Sequence, residues 1–211
     1  MAINKGNTDA MIKYAAMFEK KELGVHVAIK YYKMAIDLGD ATAMTNYASL
    51  FEKGDEDEEE EDFYPPEIET DMDKAIKYYK MAIDKGEVNA MVKYAIILEK
   101  QGNIEESINY FKKAVDIGGN YPLYKYAEFL DKHYEIPNYK EESAIYCKIA
   151  ADNGHVGAML MYGTKLANSE GVCGDKEMAM RYFKMAYEKK GEDPDNYHSV
   201  DYFEDIIEWL D

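Results

Sequence analysis

The sequence predicts an all-α protein, a right-handed α–α superhelix (solenoid) of about five helix–turn–helix repeats that ends in a capping helix. Three observations predict this fold. Two short phrases alternate along the chain, each phrase has the periodicity of an amphipathic helix, and glycines close one phrase at a constant position. We expect the repeat array to span residues 1–191 and the capping helix to span residues 192–211.

The first phrase of each repeat predicts a first helix. In its first copy Met11, Tyr14, Ala15 and Phe18 fall on one face, at the spacing of successive helical turns. The copies read AMIKYA at 10–15, AMTNYA at 43–48, AMVKYA at 90–95, PLYKYA at 122–127 and AMLMYG at 158–163.

The second phrase predicts a second helix that ends at glycine. YYKMAIDLG at 31–39 recurs as YYKMAIDKG at 78–86, with looser copies at 110–118, 146–154 and 182–190. A glycine at the end of a helix favours a left-handed C-cap, and small alanines at matched positions allow close approach of helices. One such hairpin cannot bury its own apolar face, so the hairpins must stack.

The two kinds of connection differ in length. From the second helix to the next first helix the spacing is constant, as the pairs Ala28 and Ala43, and Ala75 and Ala90, illustrate. The connection within a repeat varies, and in the second repeat it holds an acidic insertion at 54–70. Thr70 and Asp73 form a possible capping box that would open the helix after the insertion.

The two ends of the chain differ. Met1–Gly6 aligns with Met34–Gly39, so the sequence starts in the tail of a second helix, either naturally or as a piece of a longer array. We expect the apolar edge of this uncapped first repeat to allow self-association with another copy. At the other end, an apolar face from Tyr197 to Leu210 backed by acidic residues predicts the polar capping helix.

These phrases resemble Sel1-like repeats, which are relatives of the tetratricopeptide repeat. The resemblance covers roughly residues 2–191 in five repeats, through the pattern A-x-x-x-[YL]-[AG] followed by A-x-x-Y-Y-x-x-A-x-x-x-G. It implies a non-catalytic scaffold or adaptor that binds other proteins. The disulfide pattern of the cysteine-rich bacterial branch of that family is absent, since the chain has 2 cysteines.

A ladder of acid and lysine residues closes the first helices. By analogy with tetratricopeptide repeats, these residues and a middle row of the same helices point to a concave face that binds a peptide or protein segment. A lysine near a helix C-terminus also interacts favourably with the helix dipole without any partner. The ladder comprises Glu19, Lys20, Glu52, Lys53, Glu99, Lys100, Asp131 and Lys132, and the middle row comprises Ile12, Thr45, Val92, Tyr124 and Leu160.

The acidic run is the second candidate contact. Eight adjacent carboxylates repel one another, which favours a solvated loop, and they could also attract a basic partner. The alternative function is therefore an acidic decoy or chaperone-like protein that binds basic segments, and binding of that kind collapses as salt rises. The run consists of Asp55, Glu56, Asp57, Glu58, Glu59, Glu60, Glu61 and Asp62.

Composition and motifs argue against several other functions. The net charge of -17 disfavours nucleic-acid and anionic-membrane partners, and the two cysteines without a CxxC motif fit a reducing, cytoplasmic location. The four histidines lack metal-ligand spacing, and no phosphate loop or catalytic triad order is present. We expect no cofactor and no enzymatic activity. Cys147 replaces a buried tyrosine of the second helix, so we expect a buried, unreactive thiol.

Overall fold

The structure is a computed structural model that describes residues 6–19, 24–52 and 70–189. Within these ranges the regular secondary structure consists of ten α-helices, without strands. The chain divides into two compact units, Met1–Tyr110 and Phe111–Asp211. The predicted capping helix and the predicted insertion, except for Thr70, lie outside the described residues.

Each predicted first and second helix of the five repeats is present, which confirms the all-α repeat fold. The odd-numbered helices are the first helices of the repeats and the even-numbered ones are the second helices. The first unit contains α1 (Thr8–Glu19), α2 (Val25–Asp37), α3 (Ala41–Ser49), α4 (Met72–Ile83) and α5 (Val88–Lys100). Helix α6 (Ile104–Ile117) crosses the boundary, and the second unit continues with α7 (Asn120–Lys132), α8 (Tyr139–Asp152), α9 (Val156–Asn168) and α10 (Lys176–Lys189).

Small residues bring the two helices of a repeat together. Ala15 and Ala28 are fully buried in the first repeat, and the second repeat has Ala48 and Ala75 at the same positions. In the third repeat a serine replaces the second alanine, and the Ser107 hydroxyl donates a hydrogen bond of 2.8 Å to the carbonyl oxygen of Ala95. The fourth repeat does the same, from Ser143 to Ala127 at 3.1 Å. Each buried serine hydroxyl therefore has a hydrogen-bond acceptor where the two helices of its repeat lie closest together.

Tyrosine pairs explain much of the high tyrosine content. In four repeats a first-helix tyrosine meets a second-helix tyrosine edge to face, a favourable arrangement for aromatic rings. The ring centroids lie 4.8 Å apart for Tyr14 and Tyr31 and for Tyr47 and Tyr78, 4.9 Å for Tyr94 and Tyr110, and 5.0 Å for Tyr162 and Tyr182.

Helix caps fix where the repeats turn. The predicted glycine C-caps at Gly39 and Gly86 have φ angles of 85° and 82°, in the left-handed region. The predicted capping box at Thr70 is wrong by one residue. Helix α4 is capped by Asp71, whose carboxylate accepts a hydrogen bond of 2.9 Å from the Lys74 backbone N–H. An aspartate is at least as good an N-cap as a threonine, and it sits one position closer to the helix.

Candidate functional site

Two acids of the predicted ladder, Glu19 and Glu52, are held by tyrosines of the second helices. In the first repeat the Tyr32 hydroxyl donates a hydrogen bond to the Glu19 carboxylate. In the second repeat the Tyr79 hydroxyl donates to Glu52 at 2.6 Å, and Lys93 Nζ lies 3.8 Å from the same carboxylate. The two tyrosines occupy the same repeat position and are fully buried. The first two repeats therefore place a carboxylate at the end of the first helix within hydrogen-bond distance of a buried tyrosine hydroxyl, whereas the other three repeats have Phe111, Cys147 and Phe183 at the tyrosine position.

The Tyr32 hydroxyl stays protonated at neutral pH and therefore remains a hydrogen-bond donor. Burial raises the pKa of Tyr32 above its ordinary value, and the hydrogen bond to Glu19 raises it further. Sequence reasoning missed this contact. The signal for it was the coincidence of Glu at the end of the first helix with Tyr at a fixed position of the second.

The middle row of the first helices is only partly accessible. Ile12, Tyr124 and Leu160 are half-buried, and they pack against the cores of their respective units. Thr45 and Val92 are buried, and the Thr45 hydroxyl donates to the backbone carbonyl of Ala41 at 3.1 Å. A segment bound to this structure would therefore not contact Thr45 or Val92.

The charged ends of the later first helices have mixed environments. Glu99 is half-buried, and Lys100 and Lys132 are exposed at the ends of α5 and α7. Lys20, Lys53 and the whole acidic run from Asp55 to Asp62 lie outside the described residues.

The fourth repeat replaces the tyrosine–carboxylate contact by an ion pair. Cys147 occupies the tyrosine position, and Asp131 instead accepts a hydrogen bond of 2.7 Å from Lys165 Nζ. Lys165 stands where earlier first helices carry Leu50, Ile97 and Phe129, and it is buried as they are. The sequence contains the signal, a lysine in an otherwise apolar column, but sequence reasoning did not use it.

Cys147 is buried as predicted. Its Sγ atom lies 2.9 Å from Met161 Sδ, and burial raises the pKa of the thiol to about 12. A thiol with this pKa carries almost no thiolate at neutral pH, so it is a poor nucleophile and metal ligand.

The first repeat exposes a side chain that later repeats bury. Met17 has the same position as Leu50, Ile97 and Phe129, yet it is 65% exposed. Among the described residues no helix precedes α1, so none covers this position.

Two other classes of site have no support in the part of the chain that the structure describes. No group of three or more His, Cys, Asp or Glu residues there could hold a metal ion. None of the described helices has both the length and the apolar character that crossing a bilayer requires.

A family model for the Sel1 repeat matches residues 25–40, 41–87, 90–118 and 156–190, which together make up more than half of the chain. The chain belongs to the Sel1 repeat family. Members of this family are typically non-catalytic scaffolds, and the Sel1 repeat fold generally mediates protein–protein interaction. The model does not match residues 119–155, which contain α7, α8 and the departures at Asp131 and Cys147.

Solved structures share the fold at low sequence identity. A Sel1 repeat protein from Oxalobacter formigenes is 22% identical with a TM-score of 0.65, over 88% of this chain and 72% of that one. A protective antigen of uropathogenic Escherichia coli is 18% identical with a TM-score of 0.65, over 98% of this chain and 45% of that one. An immunity protein from Pseudomonas aeruginosa is 21% identical with a TM-score of 0.64, over 88% of this chain and 67% of that one. No curated protein matches this Sel1 repeat chain.

Proposed function

We propose that this Sel1 repeat chain is a non-catalytic scaffold that binds a peptide or protein segment along the first helices of its repeats. The observation that carries the proposal is the fixed carboxylate, held by Tyr32 at Glu19 and by Tyr79 at Glu52. A carboxylate that is already fixed loses little conformational freedom when a ligand binds to it. Two successive repeats of the first unit thus offer preorganised acceptors.

The carboxylate of Glu52 has acceptor capacity to spare. A carboxylate has about four lone-pair sites. The Tyr79 hydroxyl uses one of them, and Lys93 at 3.8 Å is beyond hydrogen-bond distance. The remaining sites suit backbone N–H groups, lysine or arginine of a bound segment, which form charge-assisted hydrogen bonds with a carboxylate.

Apolar contacts would come from the half-buried members of the middle row. Ile12 lies on the same helix as Glu19, and Tyr124 lies on the same helix as Asp131. In the second unit the Tyr124 hydroxyl donates to Glu128 at 2.5 Å, and its ring stacks on His155 with centroids 4.5 Å apart. A ring held on two sides is a rigid contact surface, and tyrosine is enriched at protein interfaces.

A peptide-library selection tests this proposal. The full chain is used as bait at salt concentrations of about 0.15 M and 0.5 M, since screening at the higher salt removes loose electrostatic binding. The selected peptides are then measured against a triple variant, Glu19→Gln, Glu52→Gln and Glu99→Gln. At Glu19 and Glu52 glutamine keeps an oxygen for the tyrosine hydroxyl but removes the charge, so the fold should persist. We expect binding at both salt concentrations and a loss of affinity on the order of tenfold or more in the triple variant.

A matched control uses an acid outside the first helices. Glu105 is exposed at the start of α6, and Glu105→Gln should leave the affinity unchanged. If the triple variant binds the selected peptides as well as the original chain does, the proposal is wrong. If binding disappears at high salt and also on deletion of Asp55–Asp62, the acidic-decoy function replaces it.

A further inference from the structure

The outer face of α8 differs from that of every other second helix at one position, that of Ile145. Two residues after the buried alanine or serine, the other second helices carry exposed polar side chains, and α8 carries an isoleucine. Ile145 is 57% exposed, and Ile149 one helical turn later is 43% exposed. The position of Ile149 is apolar and exposed in three other second helices too, as Met34, Met81 and Met185. The polar residues at the position of Ile145 are Lys30, Lys77, Asn109 and Arg181.

The core does not need an isoleucine at position 145. The buried face of α8 consists of Ser143, Ala144, Cys147, Ala150 and Ala151. Four other repeats fold with lysine, asparagine or arginine at the position of Ile145, so packing within a repeat does not require an apolar side chain there. Residues four apart lie side by side on a helix surface, so Ile145 and Ile149 form one apolar strip.

The charges around this strip are negative. Lys148 and Asp152 neutralise each other in an ion pair of 2.6 Å. The first turn of α8 adds two more carboxylates beside the strip, from the exposed Glu141 and the half-buried Glu142. The exposed Lys140 of the same turn falls on the opposite side of the helix. The strip therefore complements a surface that is apolar at its centre and positively charged at one end.

We propose that the face of α8 formed by Glu141, Glu142, Ile145 and Ile149 is a second protein-binding surface. Its occupant is a partner helix with apolar side chains one turn apart, flanked at one end by lysine or arginine. This surface lies on a second helix and is separate from the carboxylate ladder of the first helices. It also lies in the stretch that departs from the family pattern, so its specificity belongs to this chain rather than to the repeat.

Charge disfavours a second copy of the chain as the occupant. An antiparallel pairing of two α8 helices that joins Ile145 to Ile149 places Glu142 of one copy beside Asp152 of the other, which is already paired with Lys148, so this arrangement gives Glu142 no complementary charge. A parallel pairing places the two copies of Glu141 together. Like charges at such distances destabilise an interface.

A synthetic helical peptide serves as the probe. It carries a strip of leucines one turn apart with lysines at one end, and a fluorophore reports its binding to the full chain by anisotropy. A second peptide with glutamates in place of the lysines tests the charge. We expect the lysine peptide to bind more tightly than the glutamate peptide, and the substitution of both Glu141 and Glu142 by Gln to reduce this difference.

Two isoleucines with equal exposure provide a matched pair of variants. Ile145→Asn introduces the residue that α6 carries at this position, so the fold should be retained. Ile117→Asn makes the same change at an isoleucine that is also 57% exposed, at the end of α6. We expect Ile145→Asn to weaken binding of the lysine peptide on the order of tenfold, because Ile145 is buried against the peptide in the proposed complex. Ile117→Asn should change the affinity by no more than about twofold, since Ile117 lies outside the proposed surface.

Three results would overturn the proposal. The first is equal weakening by the two substitutions, and the second is equal affinity for the lysine and glutamate peptides. The third is a dimer of the unsubstituted chain in a sedimentation experiment, provided that Ile145→Asn dissociates it and Ile117→Asn does not. That result would show that a second copy of the chain occupies the surface.

Discussion

Lys165 donates a hydrogen bond of 2.7 Å to Asp131, and its side chain is 3% exposed while that of Asp131 is 32% exposed. The lysine enters a position that is apolar in the four preceding repeats. In the second repeat the equivalent acid, Glu52, has its nearby lysine one helical turn earlier on the next first helix, at Lys93. The lysine that faces the acid thus stands one helical turn later in the fifth repeat than in the third. Met161 occupies the position that aligns with Lys93, and it contacts Cys147.

This asymmetric burial predicts unequal effects of removing the two partners. Asp131→Asn leaves a buried ammonium without its counter-charge, which should lower the free energy of unfolding by about 3 kcal/mol. Lys165→Met should lower it by less than about 1 kcal/mol, because methionine suits the apolar position and the partly exposed Asp131 can be hydrated. Urea unfolding followed by circular dichroism measures both changes. If the two substitutions lowered the free energy of unfolding equally, the unequal burial of Lys165 and Asp131 would not determine the cost of losing a partner.

The hydrogen bond from Tyr79 to Glu52 predicts a measurable loss on removal of one hydroxyl. Tyr79→Phe should lower the free energy of unfolding by about 1.5–3 kcal/mol, as expected for a hydrogen bond to a charged acceptor. Tyr78→Phe is the matched control, because Tyr78 packs its ring edge to face on Tyr47. A loss in Tyr78→Phe as large as that in Tyr79→Phe would mean that the hydroxyl of Tyr79 adds nothing specific.

The sequence was sufficient to predict the helices because the repeats agree with one another. Five copies in register place Met11, Tyr14 and Ala15 on one face and end the second helices at glycines such as Gly39. Because the same pattern recurs in every repeat, an unusual residue in one copy does not obscure the helix that the other copies predict. The error at Thr70 arose where two neighbouring residues could cap the helix. The repeat register favours Asp71, which aligns with Asn103 and Asp175, and the capping-box motif at Thr70 did not take that register into account.

The contacts of the candidate site could not be predicted in the same way. Glu52 and Tyr79 are 27 residues apart and separated by the insertion, so their meeting depends on the packing of the second repeat. The partner of a ladder acid also shifts by a helical turn between repeats, from the position of Lys93 to that of Lys165. Side chains three or four positions apart occupy nearly the same surface, and the periodicity alone does not distinguish them.

Different environments of the two cysteines predict different reactivity. Cys147 is buried with its pKa raised to about 12, and Cys173 is exposed. A neutral disulfide reagent should modify only the Cys173 thiol rapidly in the folded protein. In denaturant it should modify both thiols rapidly. In Cys173→Ser the rapid phase should disappear. A rapid phase that survives this substitution would place Cys147 within reach of solvent.

The exposed Met17 predicts self-association through the edge of the first repeat. Later repeats bury the same position, where Phe129 contacts Phe111 and Lys165 contacts Asp131 of the preceding repeat. We therefore propose that another copy covers Met17 at high concentration. Sedimentation velocity should then show a concentration-dependent dimer that Met17→Lys shifts toward monomer. Met72→Lys, at a less exposed methionine at the start of α4, is the control and should not dissociate it. A monomer at all concentrations would contradict the proposal.

The carboxylate of Asp152 predicts a pH dependence of stability in the second unit. It accepts hydrogen bonds of 2.6 Å from Lys148 and 2.6 Å from Tyr182, and these two contacts, the lysine first, lower the pKa of Asp152 below its ordinary value. A carboxyl group with a lowered pKa in the folded state contributes stability above its unfolded pKa of about 3.9. That contribution is lost as the pH falls through the folded-state pKa. The carboxyl carbon of Asp152, followed by NMR, should titrate below the ordinary range.

Substitution of the two donors separates their effects on this pKa. Lys148→Met should raise the pKa of Asp152 more than Tyr182→Phe does, since the lysine is both a donor and a charge. Burial raises the pKa of Tyr182, so its hydroxyl remains a donor throughout the titration. Tyr182→Phe should also destabilise the protein more at neutral pH than below the folded-state pKa, where the protonated carboxyl accepts only a neutral hydrogen bond. An unchanged pKa in both variants would show that neither contact persists in solution.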